Sequence, residues 1–272
     1  MSKTPCGFCE SVTEQITNEH IFGKWIGALF GAGQSERVVR HTLKRDDSRI
    51  PSRLSASLDH RVRMACQLCN NGWMSALEDT VNPIIAPLIQ RSANKLLSPS
   101  DQSAIARWAV KTVMVMEYMA RPEQRYFTQR ERSSVRDNSV LSRYIGAHVW
   151  LGRYDGTNDG VMSVATSLTQ EDRIPRAHLS TFAIGRLLVQ ALVERNSVGR
   201  VIVAARPGPW DRLLIRLWPL PLLQRSRLFW PPPIFITARG FDAVFNRFFD
   251  PDVQRGPYRA AHGVPEDLVI PE

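Results

Sequence analysis

The chain has no apolar run long enough to cross a bilayer. Its longest apolar stretches, Val110–Met119 and Phe182–Val193, are interrupted by Lys111, Glu117, Arg186 and Gln190, whereas a spanning helix needs about 20 mainly apolar residues. No apolar leader opens it either, since Met1-Ser2-Lys3-Thr4-Pro5 runs straight into Cys6. The expectation is a cytoplasmic, reducing compartment with no membrane partner, in which disulfides do not form. Internal repeats and low-complexity tracts are also missing. Acidic charge is short: 26 Asp and Glu against 35 Lys and Arg leave a net charge of +9. That imbalance points to an anionic partner, nucleic acid ahead of a membrane surface. Cysteine is scarce too, with four in 272 residues.

Those four fall in two pairs with none left over, Cys6-Gly-Phe-Cys9 and Cys66-Gln-Leu-Cys69. Thiolates at this spacing reach one metal from a single tight turn, and four complete a closed tetrahedral zinc shell. Such a zinc is structural and contributes folding energy directly. The 56 residues between the pairs (10–65) exceed an ordinary zinc-ribbon spacing, so the insertion is expected to carry structure of its own. Within it lies Asn18-Glu19-His20-Ile21, and directly after the second pair come Asn70 and Asn71. A histidine is the usual general base near neutral pH, and a carboxylate or an amide oxygen suits a hard metal ion.

Elsewhere the chain reads as alternating helical and strand signals. Gly72–Asp79 has the look of a helix leaving the second pair, and Pro83 and Pro87 are expected to end it. Ser98-Pro99-Ser100-Asp101 is a helix start, and Ile105, Trp108, Ala109, Thr112, Val113 and Met116 predict an amphipathic helix over 99–119. Residues 122–143 are polar and arginine-rich, helix or surface loop. Ala147–Tyr154 and Val161–Thr166 read as strands joined by turn residues, with further strands at Ser180–Ile184 and Val201–Ala205 and an ambiguous Leu187–Glu194. Pro207–Pro233 is too proline-rich for long elements, and Phe241–Phe249 predicts a short amphipathic helix.

The order CxxC, acid plus histidine, CxxC, asparagine resembles the HNH or His-Me finger endonucleases, in the four-cysteine zinc subtype similar to recombination endonuclease VII. The resemblance covers about the first 80 residues. It implies a zinc-pinned ββα-metal, treble-clef-like unit at 1–90. Together with the helix and strand signals beyond it, the expectation is an α+β protein in which 91–272 forms a helix and an α/β region of unknown role with a mainly antiparallel sheet. It implies structural zinc on Cys6, Cys9, Cys66 and Cys69. His20 would activate water, and Glu19 and Asn70 would hold a catalytic magnesium or manganese ion. The implied activity is hydrolysis of phosphodiester bonds, in DNA ahead of RNA. One departure stands out. Family members often carry a ligand three or four residues after that asparagine, where this chain has Trp73 and Met74. Glu78, or Asn71, is the nearest substitute, and Asn18 is an outside candidate for support.

The insertion is basic. Arg37, Arg40, Lys44, Arg45, Arg61 and Arg63 are candidate phosphate contacts, diluted by Asp46, Asp47 and Asp59. Val38–Leu43 and Leu58–Met64 have strand character and are expected to form the ββα hairpin. His41 and His60 compete with His20 only from outside the motif, and Trp25 and Trp73 are expected to pack around the zinc unit. Two other readings stand beside the nuclease. One is a non-catalytic, zinc-stabilised nucleic-acid-binding protein, which the missing ligand favours. The other is a regulated toxin or antiphage nuclease effector awaiting a partner protein. Cutting at two sites would favour a homodimer.

Overall fold

A computed structural model describes residues 4–13, 15–30, 39–45, 48–49, 53–55, 59–90, 94–137, 145–155, 161–169, 175–195, 209–218, 227–248 and 269–271. The fold is mixed α and β, as expected. Among the described residues no helix is long and apolar enough to cross a membrane.

The N-terminal hairpin joins Ile16–His20 to Arg61–Cys66, antiparallel, with a bulge between Thr17 and Asn18. This corrects the expected pairing. Leu58–Met64 supplies one strand in part, but its partner is the strand ending at His20. Val39–Arg45 instead runs parallel to Val161–Thr169 at one side of the ten-stranded sheet. The burial pattern gives the reason for the first half of this. Ile16 is buried, and so are Met64, Ala65 and Cys66, so both strands give apolar residues to the same core.

Helix Ser75–Ile89 runs through Pro83 and Pro87 rather than stopping at them. A proline at 87 removes the amide that would serve the Pro83 carbonyl. Lys95 Nζ donates to that carbonyl instead, at 3.2 Å. Pro83 itself is exposed, which leaves the carbonyl it orphans within reach of water. The predicted helix over 99–119 is present as Pro99–Met116 with a tighter turn at Glu117–Met119. Its start is a complete capping box: Asp101 N–H donates to Ser98 Oγ and Ser98 N–H to Asp101 Oδ2.

The sheet is mainly antiparallel. Ile145–Tyr154, Leu187–Arg195, Pro175–Ile184 and Val161–Thr169 are successive neighbours, and Ile145–Tyr154 also pairs Leu214–Trp218. Leu187–Arg195, ambiguous as sequence, is a central strand buried on both faces, which erases the alternation a half-exposed strand would display. Its tight turn from the preceding strand needs Gly185, at φ +52°, where a Cβ would meet the Ile89 carbonyl at 2.7 Å. Helix Pro99–Met116 covers one face of the sheet, and the short helix Ala238–Asn246, predicted at 241–249, covers the other. The larger core runs from Cys6, Phe8 and Met64 through Trp108 and Val113 to Val189 and Val193, on both sides of residue 90. A second core on the far face gathers Trp150, Leu188, Leu192, Phe241 and Phe245. The predicted strand Val201–Ala205 lies outside the described residues.

Candidate functional site

The four cysteines converge. Their sulfurs all lie within 4.8 Å of one another, and Cys9 Sγ stands 3.6 Å from Cys66 Sγ. Four thiolates around one zinc at about 2.3 Å sit somewhat under 4 Å apart, so the spacing fits a metal ion. Cys6 Sγ accepts from the backbone N–H of Phe8 at 3.5 Å and of Cys66 at 3.3 Å. Burial raises the Cys9 thiol, yet hydrogen bonds from Ser11 and from neighbouring cysteines outweigh it and bring the group down to about 6. Burial, with the charge and hydrogen bonds of the other cysteines, pushes Cys69 well above the ordinary thiol value. Four sulfurs this close cannot all ionise against one another, and a bound dication would remove that conflict.

The clasp on the first knuckle comes from the arginine-rich segment. Gln129 Nε2 donates to the Cys6 carbonyl at 3.1 Å, Arg132 Nε to Gly7 at 2.9 Å, and Ser133 Oγ to Phe8 at 2.8 Å. All three donors lie on helix Gln129–Asp137 or its first turn. Trp73 packs edge-on against Phe8 at 4.9 Å, in keeping with its expected place beside the zinc unit.

Past Cys69 the chain makes a wide turn, Asn70–Met74, kinked at Gly72 before the next helix begins. Asn70 Nδ2 donates to Thr17 Oγ1 at 2.9 Å, and Thr17 Oγ1 donates to the Ala65 carbonyl at 2.8 Å. Asn70 is thereby tied to the strand that carries Glu19 and His20, with its amide oxygen left as the acceptor. Adjacent residues on a strand leave by opposite faces, and the two members of the Glu-His pair do so. Glu19 points inward and is 6% exposed. His20 points outward, with Nε2 2.8 Å from Asp59 Oδ1. Asp59 in turn accepts from Arg61 Nε and Nη2, both at 2.8 Å. Burial, then Arg61, lowers the His20 pKa against the opposing pull of Asp59, which keeps the imidazole neutral near neutral pH.

Glu19 enters a web that sequence reasoning did not foresee. Lys111 Nζ stands 3.5 Å from Glu19 Oε1 and 2.7 Å from Glu78 Oε1, and its side chain is fully buried. Glu78 also accepts from Trp108 Nε1 at 3.1 Å and from Trp25 Nε1 at 2.6 Å. Trp108 and Lys111 are three apart and share one helix face. The signal was a lysine lying on an apolar stripe. Gly23, just before the short helix Lys24–Ala28, has to lack a side chain, because a Cβ there would meet Trp25 Nε1 at 2.6 Å and Glu78 Oε2 at 2.7 Å. Burial raises the Glu19 pKa, with Lys111 opposing. For Lys111, burial works against the charge, but Glu78 and Glu19 override it and the pKa rises.

Of the candidate phosphate contacts, Arg61 and Arg63 are exposed on the hairpin, and Arg61 is engaged by Asp59. Arg40, Lys44 and Arg45 fall on the strand Val39–Arg45 of the large sheet. Arg37 lies outside the described residues. Met74 is buried and Trp73 half-buried, so neither takes the place of a hard-metal ligand. Comparison with protein-family models, curated proteins and solved structures finds no match for the chain.

Proposed function

We propose that the chain is a metal-dependent endonuclease of the HNH type, hydrolysing phosphodiester bonds in DNA. The observation that carries this reading is the tie between Asn70 and Thr17, which joins the residue after the last cysteine to the strand of Glu19 and His20. The cysteine cluster, with structural zinc, would be the clamp that makes this juxtaposition rigid. Glu19 and the Asn70 amide oxygen would hold a magnesium or manganese ion, which when bound supplies charge stabilisation at the scissile phosphate. His20 is half-buried and neutral, which suits a group that must accept a proton from water. Arg63, exposed on the same hairpin, would meet backbone phosphate without reading sequence.

The test is cleavage of supercoiled plasmid with magnesium or manganese. His20→Ala is expected to lower turnover by about 10²–10⁴-fold. Equal cutting by the two proteins would end the assignment.

A second reading has its own support. Lys111 already offers its ammonium to Glu19, the carboxylate that a divalent ion would need. A zinc-stabilised nucleic-acid-binding protein without catalysis would bind DNA in a salt-sensitive way and cleave it with no divalent ion.

A further inference from the structure

Directly opposed residues of an antiparallel pair share a face, and so do residues two apart on one strand. His20 lies opposite Arg61, and Asp59 precedes Arg61 by two. The ladder runs one step past the strand ends, because Ile21 N–H donates to the His60 carbonyl at 2.9 Å. The same ribbon therefore carries Asp59 to the His20 side. Arg61 grips both oxygens of the Asp59 carboxylate, through Nε on Oδ1 and Nη2 on Oδ2 at 2.8 Å each. That fork fixes the plane of the carboxylate, and Oδ1 then meets His20 Nε2 at 2.8 Å.

We infer that Asp59 is the positioning residue of His20 and that Arg61 locks Asp59 in place, so that the imidazole carries its hydrogen on Nε2 and its lone pair on Nδ1. The inference rests on the reading of His20 as the base. In the reaction the water oxygen bonds to phosphorus, and the bond to the leaving oxygen breaks with its electrons on that oxygen. The proton of the water passes to His20 Nδ1. Asp59 stays ionised and holds the imidazolium through Nε2–H. The leaving oxygen takes a proton from solvent water, and the proton on Nδ1 is then released to solvent.

Magnitude separates this role from a structural one. Asp59 and Arg61 have side chains 52% and 45% exposed, and an exposed pair of this kind is worth at most about 1 kcal/mol of stability. It also separates two roles for Arg61. A phosphate contact weakens binding and flattens the salt dependence when removed. A lock on Asp59 leaves binding alone and slows turnover.

The experiment uses the full chain with supercoiled plasmid and magnesium. Asp59→Asn should lower kcat by about 10²–10⁴-fold, as loss of an imidazole-orienting carboxylate does, with KM and thermal midpoint within experimental scatter of wild type. Arg61→Gln should lower kcat by about 10–100-fold, the scale of an outer partner, and leave the salt slope unchanged. In a His20→Ala background, Asp59→Asn should cost nothing further, because the two act as one unit. A readout independent of activity is carbon and nitrogen NMR of the His20 ring, with the Nε2–H tautomer in wild type and a mixture in Asp59→Asn. If His20→Ala is slow while Asp59→Asn turns over like wild type, the positioning role is overturned and the base assignment stands. If His20→Ala cuts like wild type, both fall together. An unchanged tautomer in Asp59→Asn overturns the positioning role whatever the activity.

Discussion

Around Lys111, buried charges meet opposite charges. On the far face of the sheet, His148 and Glu194 are buried just as deeply and lose theirs. In the first cluster one ammonium stands between two carboxylates, and two indole N–H groups complete the shell of Glu78. In the second, His148 Nε2 and Glu194 Oε1 are 3.6 Å apart, too long for a hydrogen bond. Burial, with Arg216 nearby, lowers His148 to about 3, and burial raises Glu194 to about 8. Near neutral pH the pair is therefore imidazole beside carboxylic acid, and the close approach is not an ion pair. An environment that favours a charge, as the first cluster favours the Lys111 ammonium, can hold ionic chemistry. One that strips charge contributes packing and a dependence on pH.

Metal removal should break the contrast most severely. Chelation, or Cys66→Ser, withdraws a site whose occupancy in small zinc domains contributes about 10 kcal/mol or more of apparent folding energy. Hydrogen exchange should find amides of Ile16–His20 and Arg61–Cys66 unprotected first, while Leu187–Arg195, between two cores, stays protected. Simultaneous loss in both places would mean that the cysteine unit and the sheet are one cooperative body.

Lys111→Met comes next. Removing one partner from a buried ionic cluster typically costs about 3–5 kcal/mol, because uncompensated charge stays inside. Adding Glu19→Gln and Glu78→Gln should restore most of the loss in a denaturant titration. A loss under about 1 kcal/mol for Lys111→Met alone would remove the distinction between the clusters.

Regions of the molecule differ as much in how far they can be read from sequence. The cysteine pairs and the Ser98–Asp101 box are local signals, complete within four residues each, and both appear as expected. Helix Gln129–Asp137 closes on carbonyls of Cys6, Gly7 and Phe8, and nothing in a polar arginine-rich segment announces partners more than a hundred residues away. The strand containing Glu194 hides its period because both its faces are covered. Pro83 and Pro87 mislead because Lys95 supplies the donor that Pro87 removes and the exposed face at Pro83 leaves the other carbonyl to water. Asp59 looked like a residue that only dilutes basic charge. Its place beside His20 depends on hairpin register, which is set by pairing with the distant strand Ile16–His20 and by the bulge at Thr17–Asn18.

The pH dependence of the far-face pair sharpens the comparison with the smallest effect. Glu194 moves from an ordinary 4.5 to about 8 on folding, so the folded state holds a proton that the unfolded state releases. Its contribution is complete below pH 4.5 and is lost as pH rises through about 8. His148 works in the opposite sense. With a folded pKa near 3 against 6.5 unfolded, its contribution is present above 6.5 and is lost as pH falls toward 3. Between 4.5 and 6.5 the two slopes oppose each other, and above 6.5 only the Glu194 slope remains of the pair. Wild type should therefore lose about 2 kcal/mol more than Glu194→Gln between roughly pH 6.5 and 9, at about 1.4 kcal/mol per unit up to the folded pKa. Glu117, raised to about 7 by burial against the Tyr126 and Phe127 amides, adds a slope common to both proteins and cancels in the difference. Parallel denaturation curves for the two proteins across that range would mean that Glu194 keeps its charge inside the fold, and the far face would then resemble the Lys111 cluster.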